Sequence, residues 1–177
     1  MLDLIIINGK CYIDGELKEV DVAIKDKKIH QIGQISEEAK ETIDASGLTV
    51  LPGCIDTQTH FREPGSTDTE DLHTGSRAAI AGGITSVFEM PNTNPPTSNK
   101  KEFQRKLDLA KNRMYCNYAF YFGATADNAD DLASLKDLEG CCGIKLFAGS
   151  STGNLLVAEE DDIDKVFQNA SKVVAVH

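Results

Sequence analysis

Tryptophan is missing from this chain of 177 residues, and so are the patterns that mark several common activities. The net charge is −10 with the charges scattered, so no basic face exists to hold nucleic acid or anionic lipid. A Gly-x-Gly-x-x-Gly run and a P-loop are both absent, which removes the usual nucleotide cradles. Five cysteines make an odd count without a Cys-x-x-Cys pair, against both a disulfide framework and a thiolate zinc site. A reducing, cytoplasmic compartment is the expected home. The apolar run at residues 2–7 is far too short to span a membrane. It also lacks a basic start and a small-residue cleavage site, so it is expected to be neither anchor nor signal peptide.

What is present is the composition of a globular domain with a real core, 41% apolar and 26% charged. Residues 1–51 read as a small β unit. Strand character at 4–7 and 10–13 leads into an Asp14-Gly15 turn. Residues 20–25 and 28–32 flank a second hairpin turn at Asp26-Lys27, and 42–50 adds one more extended piece. After Pro52 the rhythm changes to β-α alternation. Strands are expected near 54–56, 84–90, 115–122, 142–147 and 172–176. Helices are expected at 71–81, 100–113, 128–138 and 159–170, with a Gly/Ser loop before the last. Such alternation predicts a parallel sheet covered by helices.

Polar chemistry at successive strand ends favours a (β/α)8 TIM-type barrel over an open sheet. Gln58, His60 and Arg62 are spaced two apart and point to one side of an extended backbone. Glu89 with Asn92, then Thr125, Lys145 and His177, follow at later strand ends. A barrel of this kind needs roughly 250 residues. Residues 52–177 are therefore expected to hold only about its first five strands, preceded by a β-sandwich-like unit, as the leading piece of a longer protein.

The run PGCIDTQTHFREPG at 52–65 resembles the PGxxDxHxHxREPG signature of dihydroorotases, in the cyclic amidohydrolase group of the amidohydrolase superfamily. MPNTNPP at 90–96 is similar to the family's substrate loop. GIKLF at 143–147 looks like the segment bearing a carboxylated lysine, and VVAVH at 173–177 like a strand presenting a metal-binding histidine. The resemblance implies a metal-dependent hydrolase that interconverts dihydroorotate and N-carbamoyl-L-aspartate in pyrimidine biosynthesis. It implies Zn2+, one or two ions, held by His60, Lys145 and His177, with a carboxylated Lys145 as bridge. Arg62 and Asn92 would bind the substrate carboxylate, and Asp56 would orient a ligand. The substrate is a small molecule, and the complete protein is expected to form a homo-oligomer.

Elementary chemistry agrees with the residue types. A neutral imidazole suits zinc. A guanidinium offers a planar fork to a carboxylate. A lysine ending an apolar strand either reacts as a free amine, reaches solvent, or pairs with Glu89 or Asp56. One position departs from the pattern. Gln58 stands where the family has its first histidine, and an amide oxygen is a poor zinc ligand. A single metal, a weak second metal, or a non-catalytic subunit supporting another pyrimidine-pathway enzyme all remain open. So does a hydantoinase- or allantoinase-type ring hydrolase.

Overall fold

The computed structural model describes residues 1–151 and 154–177. Thr152 and Gly153 of the expected Gly/Ser loop lie outside the described residues. The chain divides into two compact units, Met1–Pro52 and Gly53–His177.

The first unit is all β. Strands β1 (Leu2–Ile7), β4 (Asp21–Lys25), β5 (Lys28–Gly33) and β6 (Ala39–Asp44) form one sheet in the order β5-β4-β1-β6. Strands β2 (Lys10–Ile13), β3 (Glu16–Glu19) and β7 (Thr49–Val50) form a second sheet. The Asp14-Gly15 hairpin is there, with φ of 52° and 86°, the positive values that a tight two-residue hairpin demands. The single extended piece expected at 42–50 is instead two strands. β6 starts earlier, at Ala39, and a turn at residues 45–48 separates it from β7. Gly47 at φ 76° permits that turn.

The second unit carries the expected alternation. Strands β8 (Cys54–Thr59), β9 (Ile84–Glu89), β10 (Asn117–Gly123), β11 (Cys141–Leu146) and β12 (Val174–Val176) pair in parallel and in chain order. They make a curled five-stranded sheet, a partial TIM barrel, as the sequence predicts. Helices α1 (Leu72–Ala81), α2 (Lys100–Ala110) and α3 (Glu160–Asn169) join the strands. The segment expected as a third α-helix near 128–138 is a 3-10 helix over Ala126–Leu135, with Thr125 capping its first turn. No helix among the described residues is long and apolar enough to cross a membrane.

Alternation along each strand decides which side chains are buried. Val87, Phe120, Phe122, Ile144 and Leu146 share one apolar layer with Phe103 of α2. Phe103 meets Phe120 edge-on, with ring centroids 6.4 Å apart. Tyr121 points to the opposite face, where its ring lies near Phe88. Gly143 leaves room there, because a Cβ would stand 2.9 Å from both the Tyr121 ring and the Val173 carbonyl. All five cysteines are free.

Candidate active site at the strand ends

Because the strands run in parallel, the residues just past their C-terminal ends gather on one rim. Thr59 pairs with Glu89, Gly123 with Lys145, and Lys145 with Ala175. A cavity of about 350 Å³ opens on that rim, and Gln58, His60, Arg62, Asn92, Lys145 and His177 all line it. Four strand ends, those of β8, β9, β11 and β12, thus meet at one place. A second cavity of about 570 Å³ shares Arg62 and Asn92 with it and is lined further by Ser66 and Asn94.

Each side chain has a local reason for its place. The register of β8 slips between Asp56 and Thr59, a bulge of the kind that re-aims side chains near sites. Asp56 steadies the slip by accepting a bond from the Gln58 backbone N–H at 2.9 Å. Asp56 does not line the cavity. Arg62 has left extended backbone for the left-handed region at φ 61°, yet its side chain still lines the same cavity as His60. The loop beyond is clamped. Glu63 is buried, takes two bonds from Arg113 at 2.8 and 3.1 Å, and accepts the Leu72 N–H at 2.9 Å. Gly65, at φ 127°, lies so close to Asn94 that a Cβ would stand 3.1 Å from it. The loop bearing Asn92 and the loop bearing Arg62 therefore lie against each other, joined by Asn94 N–H to the Pro64 carbonyl at 2.9 Å.

Lys145 is buried, and its ammonium lies 5.0 Å from the centre of the Phe147 ring. Burial pushes its pKa below the ordinary lysine value. It pairs with neither Glu89 nor Asp56; the Glu89 carboxylate is taken by Lys106 of α2. His60 is half-buried, and its pKa is also lowered, first by burial and then by the nearby Arg62 charge. A side-chain hydrogen bond with Asn92 acts the other way. His177 donates its backbone N–H to the Leu146 carbonyl at 3.0 Å, and its ring sits 6.0 Å from Phe147. Phe147 thus walls the cavity between Lys145 and His177, a position sequence reasoning did not assign. Its signal was only that it closes an apolar strand.

As donors for a divalent cation, His60 and His177 offer imidazoles, and His60 is held toward its neutral, ligating form. No group of three or more His, Cys, Asp or Glu side chains suited to a metal occurs among the described residues. Beside the two imidazoles the cavity presents the Lys145 amine, whose lowered pKa favours its neutral form.

The amidohydrolase family model matches residues 49–175. The chain belongs to the amidohydrolase family. Allantoinase of Escherichia coli O1:K1 / APEC is 42% identical over 149 residues, covering 84% of this chain and 33% of that protein. Allantoinase of Escherichia coli strain SMS-3-5 is 43% identical over the same length. Among solved structures, the L-hydantoinase (dihydropyrimidinase) from Arthrobacter aurescens superposes with a TM-score of 0.89 at 30% identity. That match covers 100% of this chain and 41% of the other. A D-hydantoinase from a Bacillus sp. AR9 gives 0.82 at 28%, covering 99% and 40%. The chain therefore spans about a third of the length of the curated relatives it matches.

These neighbours support a cyclic amidohydrolase. The relatives named here are allantoinases and hydantoinases, so the finer expectation of a dihydroorotase finds no support in them.

Proposed function

We propose that this amidohydrolase is a metal-dependent hydrolase of a cyclic amide, acting on a ureide ring of the allantoin or hydantoin kind. The convergence of His60, Lys145 and His177 with Arg62 and Asn92 on one cavity supports it most directly. In this reading residues 52–177 supply the leading part of the barrel and residues 1–51 an accompanying β unit. His60, His177 and a carboxylated Lys145 would hold Zn2+, which lowers the pKa of water and polarises a carbonyl. Carboxylation itself is balanced chemistry. The neutral Lys145 amine attacks carbon dioxide: a nitrogen–carbon bond forms, one C=O π bond opens to leave its pair on oxygen, and one proton leaves the nitrogen for solvent. Burial of Lys145 favours that neutral amine. Asn92 steadies His60 through its side-chain bond and presents an amide to the ring. Arg62, on the wall shared by the two cavities, offers paired donors to ring carbonyls.

One observation favours a second reading, a ring that carries a carboxylate, as dihydroorotate does. Arg62 and Asn92 line both cavities together, which suits a carboxylate better than a bare ring. The test is hydrolysis by the full-length, zinc-loaded protein of allantoin, hydantoin, a dihydropyrimidine and dihydroorotate. Turnover of the first three kinds supports the main reading. Turnover of dihydroorotate alone, lost in KM on Arg62→Met, selects the second. No turnover of any ring by folded, metallated protein would leave the non-catalytic subunit.

A further inference from the structure

One buried pair of charges plays no part in that reading. Glu89 ends β9 and Lys106 lies on α2, and neither exposes any surface. The two form an ion pair between the sheet and the helix. Taking both ions out of water is costly, and apolar side chains of similar bulk would hold this layer at least as well. Burial pushes Glu89 up and Lys106 down, and their mutual attraction opposes both shifts.

The surroundings indicate what the charges hold. The Lys106 ammonium donates to the Met90 carbonyl at 3.0 Å and lies 5.1 Å from the Phe120 ring centre. The Glu89 carboxylate has the Phe61 backbone N–H and the Arg62 charge against it. Neither of its oxygens has a well-directed hydrogen bond within the protein, so charge and dipole hold it. Phe61 stands between His60 and Arg62, and Met90 precedes Asn92 by two residues. The same two backbones are joined once more, where the Met90 N–H donates to the Thr59 carbonyl at 2.9 Å.

We propose that Glu89 and Lys106 are positioning residues that act as one bracket: Lys106 holds the Met90 carbonyl by a hydrogen bond, and the Glu89 carboxylate, paired to Lys106, draws the Phe61 backbone N–H by charge alone. His60, Arg62 and Asn92 are thereby kept at fixed separations across β8 and β9. The inference takes from the ring-hydrolase reading only what the positioned side chains do.

The test compares the full-length protein with its Glu89→Leu/Lys106→Met form, which removes both ions and leaves neither alone. Amide hydrogen exchange should quicken over residues 59–63 and 90–97 and stay unchanged in α3 and β11. The melting temperature should hold, and zinc affinity by chelator competition should fall about 10- to 100-fold, the usual effect of losing a group that orients a ligand. A second form, Glu89→Gln/Lys106→Gln, keeps polar groups at both places and should recover part of the protection. Wild-type exchange at both segments would overturn the bracket. A uniform rise in exchange with a lower melting temperature would also overturn it, because that is what a merely stabilising pair gives. If the wild type hydrolyses no ring, the functional reading fails, while the exchange comparison still decides the bracket.

Discussion

Gln58 is the residue on which the chemistry of the rim turns. It lines the same cavity as His60 and His177, and its side chain ends in a neutral amide oxygen. Imidazole nitrogen is the better donor to a borderline cation such as zinc. Replacing Gln58 with His in the full-length protein should therefore tighten zinc by about tenfold, roughly 1.4 kcal/mol. Chelator competition measures it, and hydrolysis should rise with metal occupancy. Equal affinity in the two forms would place Gln58 outside the ligand set. His60 is prepared for such a role by its surroundings. Burial first, and the Arg62 charge second, favour its neutral form, which leaves a ring lone pair free.

At the scale of elements, helix α1 ties the site's loop to the barrel layer. Asp71 caps it, accepting the Thr74 N–H at 2.6 Å, and the Thr74 hydroxyl closes a reciprocal bond to the Asp71 N–H at 3.1 Å. Those bonds hold the Asp71 carboxyl below its ordinary value of 3.8. The sign follows from linkage. A carboxyl whose pKa is lowered on folding stabilises the fold above its unfolded pKa. That stability is lost as pH falls through the folded value. Asp71→Ala should thus cost about 1 kcal/mol at neutral pH. The difference from wild type should shrink below about pH 4, read from urea unfolding at a series of pH values. A constant difference down to pH 2 would mean that the charge plays no part. The same helix shows what could be read in the sequence. Its start at Asp71 and its stop at Gly82 are local signals, and both appear in the structure. The strand ends were legible as well, since His60 ends a polar strand tip, Lys145 interrupts an apolar strand and His177 closes one, and all three line one cavity. The Ala126–Leu135 segment was less legible, because α and 3-10 turns bury nearly the same apolar positions, here Ala129, Leu132 and Leu135. The Glu89–Lys106 pair was hidden for another reason. Its partners lie on different elements, and only their chemistry out of place announced them. Lys106 falls on the buried stripe of α2 with Phe103 and Ala110, where periodicity alone expects an apolar residue.

At the scale of the molecule, the five-stranded sheet ends in two edges, β8 on one side and β12 on the other. Each edge leaves backbone donors and acceptors without a sheet partner, a template for another strand. The side chains beside those edges add apolar surface: Ile55 is 60% exposed, Val173 75% and Val176 53%. In a closed barrel such positions are covered by the neighbouring strands. The solved relatives, of which this chain matches about two-fifths, are long enough to provide them. Residues 1–177 expressed alone should therefore associate, and the association should run through the edges rather than the acidic surface. Light scattering should show a mass that grows with protein concentration and persists in high salt, because pairing of strands and burial of apolar surface are little screened. Lys placed at Ile55 and Val176 should return the species to a monomer, since a charge on an edge opposes strand addition. A monomer in the unmodified chain at high concentration would show that the curled sheet protects its own edges. Metal binding by the rim residues His60, Lys145 and His177 would then be measurable on the isolated half-barrel.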